Sequence, residues 1–378
     1  MARTESALIV SWISEPLSPP VSEQLSRWAR TDGVRKIAVM PDVHLAEGIC
    51  VGAVVCADRI FPEAVGTDIG CGMATMRLSA NRTLLEGSTL ARQILQGLRR
   101  VAPSNRHPLG RQPDWLPSSC RAAHLSHETL ASRLDKDGAV QFGTLGRGNH
   151  FLEIQADDAD RLWLAVHSGS RGMGQAIAAH HLSRAERANT GILFFNPTDP
   201  KGRAYLQDAA FAVDYARRSR RRLLEAAEML LGELCGVEGD WTTYFDSVHN
   251  FVRIEAMDGE ALIHRKGANS ASEGEPSLIP GSMGTPSYQV VGKGRREALC
   301  SCAHGAGRSL SRTEARRAVS TRRFSNEMKG IYYDRDRIEK LRDEAPGAYK
   351  NIDRVMRAQK PLVRRIRKLW PVLSYKGT

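Results

Sequence analysis

The chain has 378 residues, 42% of them hydrophobic, which suffices for a large buried core and excludes a mostly disordered chain. Lys and Arg number 54 against 42 acids, a net charge of +12; such a surplus favours polyanionic partners, although charge alone does not separate RNA from DNA or a membrane surface. The seven scattered cysteines do not form a disulfide scaffold, and the apolar run Ala7–Ile13 is too short to span a bilayer and lacks the basic start of a signal peptide, so a reduced, cytoplasmic protein with no membrane partner is expected.

In chain order, Ala7–Trp12 predicts a short strand, and a helix follows near Val21–Arg30 with Ser22 and Glu23 in its first turn. Lys36–Met40 predicts a buried strand. From there to Leu78, β-rich runs (Ile49–Cys56, Val65–Met76) alternate with Gly-rich turns and no 3.6-residue period survives. Ser88–Val101 predicts a helix capped by Ser88, and Pro103–Leu116 an exposed loop. Phe151–Ile154 and Leu162–Val166 read as strands. Ala204–Leu231 carries the longest helical pattern, with apolar Leu206, Ala210, Val213, Leu223, Leu224 and Leu231 and the basic run Arg217–Arg222. Phe251–Glu255 and Ala261–His264 predict a hairpin turning near Asp258 and Gly259. Gly-rich sequence continues to Ser309, and charged, helical sequence is expected from there to Lys368. No repeat or linker interrupts the chain, so one domain over residues 1–378, mixing α and β structure, is expected.

Chemistry concentrates in Gly-rich stretches. Asp68 and Cys71 stand three apart among glycines, so a carboxylate and a thiolate can reach one metal or a metal pair; a Gly-rich turn with a buried cysteine explains that segment alone equally well. His150, His167 and His249 each stand at a strand end. Singly, each is more often a hydrogen-bonded histidine than a ligand. Together with Asp68 and Cys71 they make a coherent N/O/S donor set for manganese, zinc or a related divalent ion. Cationic His264–Lys266 and the Gly/Ser segment Pro280–Ser287 could hold phosphates, although the P-loop pattern is absent and a plain turn explains the latter too. His304, followed by Gly305, Ala306 and Gly307, could be an exposed nucleophile able to form a phosphoramidate, or a polar turn histidine.

The stretches MPDVH (40–44), VGTDIGCGM (65–73), GRGNHFLEI (146–154), VHSGSRGMG (166–174), HNFVRIE (249–255), HRKGA (264–268), PGSMGTPSY (280–288), AHGAGR (303–308) and Tyr375–Gly377 resemble, in order, the motifs of the RtcB family of RNA ligases, in particular its compact bacterial branch. The resemblance implies an α+β fold with mixed sheets flanked by helices around a central metal cleft. It implies two manganese ions on Asp68, Cys71, His150, His167 and His249, with Cys71 shared. It implies GTP as cofactor, attacked at its α-phosphate by His304, and guanylate contacts from Asn149, Glu153, Asn250, Pro280, Gly281, Ser282, Met283, Ser287, Gly305, Ala306, Gly307 and Lys376. The implied substrate is RNA bearing a 3′-phosphate or 2′,3′-cyclic phosphate, joined to a 5′-hydroxyl in RNA repair or tRNA splicing; tRNA, ribosomal RNA and an activating protein are compatible partners. Arg171 and the basic runs 217–222 and 364–368 are candidate RNA contacts, with solvated helix faces as the alternative for the runs. Ala46 stands where the family usually has glycine, and Asn269–Ser277 differs from the commoner continuation; both bear on substrate choice.

Overall fold

A computed structural model describes residues 6–108, 116, 117, 120, 125–257 and 259–377. Two sheets dominate an α+β architecture. The smaller has five strands in the order Leu8–Ser11, Val34–His44, Val51–Ala57, Glu260–Lys266, Asn250–Ala256; its first pair is parallel and the others antiparallel. The larger runs Pro276–Ile279, Ser287–Gly292, Val363–Lys376, Phe151–Asp157, Arg161–Ser168, Gly72–Asn81, Gly239–Val248, with Tyr332–Tyr333 paired beside Val363–Lys376. The chain passes from one sheet to the other at His249, between Val248 and Asn250.

The helix Pro200–Cys235 spans 36 residues across the larger sheet. Pro200 suits the first helical position, because its missing N–H has no intrahelical partner there. The helix ends at Gly236, whose left-handed conformation (φ 69°) turns its N–H onto the Gly232 carbonyl. Leu223, Leu224, Leu230 and Leu231 pack with Ile94 and Leu98 of the helix Ser88–Val101 onto Leu152, Ile154, Leu164 and Val166 of the sheet. Each such side chain, fully buried, contributes about 1.5–3 kcal/mol. A second core joins Met40, Val54 and Ile263 of the smaller sheet to Tyr288, Val290 and Val363 of the larger.

The expected strands and helices are found, usually longer than the sequence patterns suggest, with several corrections. Residues 65–71 form a loop, and the strand begins at Gly72. Ser88 lies inside its helix and Gly87 occupies the cap position. Ala210 is exposed, and Leu116, expected in an exposed loop, is buried; residues 109–115 of that loop lie outside the described residues. The hairpin forms as expected, with Gly259 at positive φ, while Asp258 lies outside the described residues. The largest departure is Val363–Lys376. Expected as helix up to Lys368, it is a 14-residue strand held between Ser287–Gly292 and Phe151–Asp157.

Candidate active site

Strand register gathers the metal-type donors. Gly72 pairs with Ser168 on one side and Val248 on the other, and Phe151 pairs with His167. Cys71, His150, His167 and His249 therefore stand together at one end of the larger sheet, with Asp68 in the loop before Cys71. The Cys71 Sγ lies 3.2 Å from His167 Nε2 and 3.5 Å from His150 Nε2. His150 Nε2 lies 3.3 Å from Asp68 Oδ2. Two donor triplets result, Cys71/His167/His249 and Asp68/Cys71/His150, each within 4.8 Å, and Cys71 belongs to both.

The electrostatics suit a cation. Burial, reinforced by neighbouring histidines, holds His167 and His249 well below the usual imidazole range, so both rings are neutral and keep a lone pair. Burial raises the Asp68 carboxyl, but the hydrogen bond and charge of His150, with Arg171, outweigh it and leave Asp68 below its ordinary value. Burial and the Asp68 charge push the Cys71 thiol up, opposed by Arg220; a bound cation would have to deprotonate it. His249 Nδ1 is buried with no hydrogen-bond partner among the described residues. A soft thiolate, imidazoles and one carboxylate fit a transition-metal dication better than magnesium.

A layer behind the donors orients them. His167 Nδ1 donates to the Asn149 carbonyl at 3.2 Å, which leaves Nε2 facing Cys71. Asn250 donates to the Asp68 carbonyl at 3.1 Å and accepts the Gly267 N–H at 2.8 Å, bracing two loops with its amide. Arg220 is fully buried. It holds Asp246 with two hydrogen bonds, and its Nη1 donates to the carbonyls of Gly70 and Ser168 at 2.7 and 2.8 Å, beside Cys71 and His167. Read from sequence as a candidate RNA contact, Arg220 instead braces the metal-donor loops. Arg171 also lies behind the donors, partly buried, with Nη1 3.2 Å from His150 Nδ1.

In front of the donors opens a cavity of roughly 350 Å³. His304 stands in its wall, its ring 4.7 Å from that of His249. His304 Nδ1 donates to Asp42 Oδ2 at 2.7 Å, and the same oxygen accepts the N–H groups of His304 and Gly305. Asp42 is completely buried. This contact fixes the ring orientation and leaves Nε2 as the atom with a free lone pair. Close approach is possible because residue 307 is glycine: a Cβ there would stand 2.1 Å from the Asp42 carbonyl oxygen, at φ 74°.

Away from the donors the cavity is lined by Asn149, Phe151, Glu153, Pro280–Met283, Gly305–Gly307, Arg308, Arg312, Tyr349 and Lys376. Glu153 accepts from Ser374 and Gln155, and burial raises its carboxyl. Ser287 lies just behind, bonded to Gln155 at 2.9 Å. Lys376 Nζ lies 3.1 Å from the buried Glu344, which also binds Arg308 and Tyr349. Of the metal, nucleophile and guanylate candidates, His150 and Ser287 stand behind the wall and the others line it, while Arg171 and the basic runs 217–222 and 364–368 are not among the lining residues. His264 and Arg265 are buried in the smaller sheet, so only Lys266 of that cationic trio reaches the cavity. Arg308, read from the sequence as a cation close to His304 that could neutralise phosphate charge, lines the cavity. Asp42, His44, Phe151, Arg312, Glu344 and Tyr349 were not assigned from the sequence: Asp42, His44 and Phe151 sat inside quoted motifs but offered no chemical pattern of their own, and Glu344 carried no local signal.

Fold and cavity thus define an α+β protein with a buried N/O/S donor set beside an oriented histidine. The chain belongs to the RtcB family: a family model described as tRNA-splicing ligase RtcB matches residues 24–377. It is 33% identical to RNA-splicing ligase RtcB of Escherichia coli K12, over 99% of this chain and 98% of that one. It is 32% identical to RNA-splicing ligase RtcB of Mycobacterium tuberculosis, over 91% and 97%, and 29% identical to tRNA-splicing ligase RtcB of Thermococcus kodakarensis, over 88% and 86%.

Proposed function

We propose that the chain, acting as one catalytic domain in the cytoplasm, is a GTP-dependent RNA ligase that joins 3′-phosphate or 2′,3′-cyclic phosphate ends to 5′-hydroxyl ends. The observation that carries it is the Asp42–His304 hydrogen bond, which turns a bare imidazole nitrogen into a cavity beside a metal-type donor set.

Asp68, Cys71, His150, His167 and His249 would hold two manganese ions, with Cys71 common to both. Bound there, such ions supply Lewis-acid neutralisation of phosphate charge. His304 Nε2 attacks the α-phosphorus of GTP, a P–N bond forms, the bond to the bridging oxygen breaks and pyrophosphate leaves. Asp42 steadies the imidazolium that develops. Glu153, Ser282, Lys376 and the backbone of Gly305–Gly307 form the guanylate cradle, with Asn149, Asn250, Pro280, Gly281, Met283 and Ser287 framing it. The RNA 3′-phosphate then takes the guanylate from His304, and attack by a 5′-hydroxyl releases GMP.

Two RNA oligonucleotides, one with a 3′-phosphate and one with a 5′-hydroxyl, are incubated with protein, Mn²⁺ and GTP. A joined product that requires GTP is expected. Arrest at a guanylate-capped 3′ end would demote the protein to a guanylyltransferase, and processing without nucleotide would mark a metallo-phosphodiesterase.

A further inference from the structure

Among the described residues, four histidines line the cavity: His44, His167, His249 and His304. Two belong to the donor set and one is the proposed nucleophile, which leaves His44 without a role. It ends the strand Val34–His44, and its Nδ1 lies 2.9 Å from the Asp42 carbonyl oxygen. A carbonyl oxygen can only accept, so Nδ1 carries the ring proton and Nε2 keeps its lone pair. Asp42 therefore sets two imidazoles in the same tautomer. Its carbonyl holds His44 and its carboxylate holds His304.

Both rings stand beside the Gly305–Gly307 side of the guanylate cradle, through Asp42, which bonds the Gly305 N–H and lies against Gly307. His44 pairs across the sheet with Val51, which contacts Gly267, and Gly267 in turn faces the His304 ring: a Cβ on residue 267 would stand 2.2 Å from Val51 Cγ1 and 3.1 Å from His304 Cε1. Gly66 and Lys266 line this same end. We infer that the second RNA end enters beside His44, Val51 and Lys266, all in the cavity lining.

Building on the ligase function proposed above, we propose that His44 is a catalytic base, accepting through Nε2 the proton of the RNA 5′-hydroxyl in the sealing step. The O–H bond of the 5′-hydroxyl breaks, its proton passing to Nε2. The 5′-oxygen bonds to the RNA 3′-phosphorus, and the bond from that phosphorus to the guanylate breaks, releasing GMP. The groups facing the ring are Asp42, His304 and Lys350, and burial is the first cause that keeps it neutral, with a pKa lowered to about 4. Entry of phosphate anions raises the basicity of such a ring toward the working range.

The test separates the steps. His44→Ala and His44→Gln are compared with wild type for adduct formation with labelled GTP, for transfer to an RNA 3′-phosphate and for sealing. Both variants are expected to form the adduct and to accumulate guanylate-capped RNA. Sealing falls roughly 100-fold or more, as expected for loss of a general base. Between pH 7 and 9 the residual sealing rate of the variants rises about tenfold per unit as hydroxide replaces the base, while wild type rises less steeply. Unimpaired sealing in either variant overturns the proposal. So does loss of adduct formation in a folded variant, which would assign His44 to the guanylation step. Failure of wild type itself to form the adduct would strike the underlying ligase function instead.

Discussion

Asp42 Oδ2 accepts the ring proton of His304 at 2.7 Å, and this contact joins residues 262 positions apart in the chain. It determines which imidazole nitrogen faces the cavity. Asp42→Asn keeps the shape but removes the charge and disturbs the tautomer, so the rate of guanylate adduct formation at saturating GTP is expected to fall about 10²–10⁴-fold. GTP affinity should hold within a few-fold. An unchanged adduct rate would separate Asp42 from the chemistry.

Cys71 belongs to both donor triplets, so its loss should disturb more than one ion. Metal analysis after loading with Mn²⁺ and desalting is expected to find two ions per chain in wild type and fewer than one in Cys71→Ala. Chelation should lower the melting temperature of wild type, because a ligand bound only to the folded state stabilises it. Equal metal content in the two proteins would contradict the shared-ligand arrangement.

The basic run on the long helix divides into unlike parts. Arg220 is fully buried against Asp246, whereas Arg221 is exposed and pairs with Glu225 one turn on. Removing one partner of a buried pair costs about 3–5 kcal/mol, while an exposed pair contributes about 0–1 kcal/mol. Urea unfolding should therefore show a large loss for Arg220→Met and little for Arg221→Met. Comparable losses would mean that Arg220 does not carry the loops of Gly70 and Ser168.

Acid sensitivity follows from His264. The ring is fully buried, its Nε2 accepts the Phe61 N–H at 3.0 Å, and burial lowers its pKa to about 4. The folded pKa lies below the unfolded one, so between roughly 6.5 and 4 the unfolded chain binds more protons, and stability falls as pH decreases through that window. One such histidine contributes about 1.4 kcal/mol per pH unit there. Burial shifts His44, His150, His167 and His249 in the same direction. Chelated wild type and His264→Gln, unfolded in urea at pH 7 and pH 5, isolate the single residue. Wild type should lose about 2 kcal/mol more than the variant over that step; parallel losses would refute the assignment.

Much of the donor set was legible because it obeys local rules. Cys71, His150 and His167 each adjoin a Gly-rich turn and a strand end, His249 stands between two strands, and strand register brings such ends together. What the sequence hid was long-range. Asp42 gains meaning only beside His304, and Glu344 only beside Lys376 and Arg308. Val363–Lys376 was expected to be helical through Lys368 because Arg364–Lys368 is charged and lacks a turn signal. Pairing on both sides overrides that local preference. Arg220 looked like its exposed neighbours, and only the fold shows that Ser219 and Arg220 face inward.

The most direct measurement uses GTP labelled at the α-phosphate. Wild type and His304→Ala are incubated with Mn²⁺ and labelled GTP, and the protein is then examined for label that survives denaturation and alkali but is released by acid, as a phosphoramidate should be. Label on wild type and none on the variant is the predicted result. Equal label on both, or none on a folded, metal-loaded wild type, would contradict the guanylated histidine at the centre of the account.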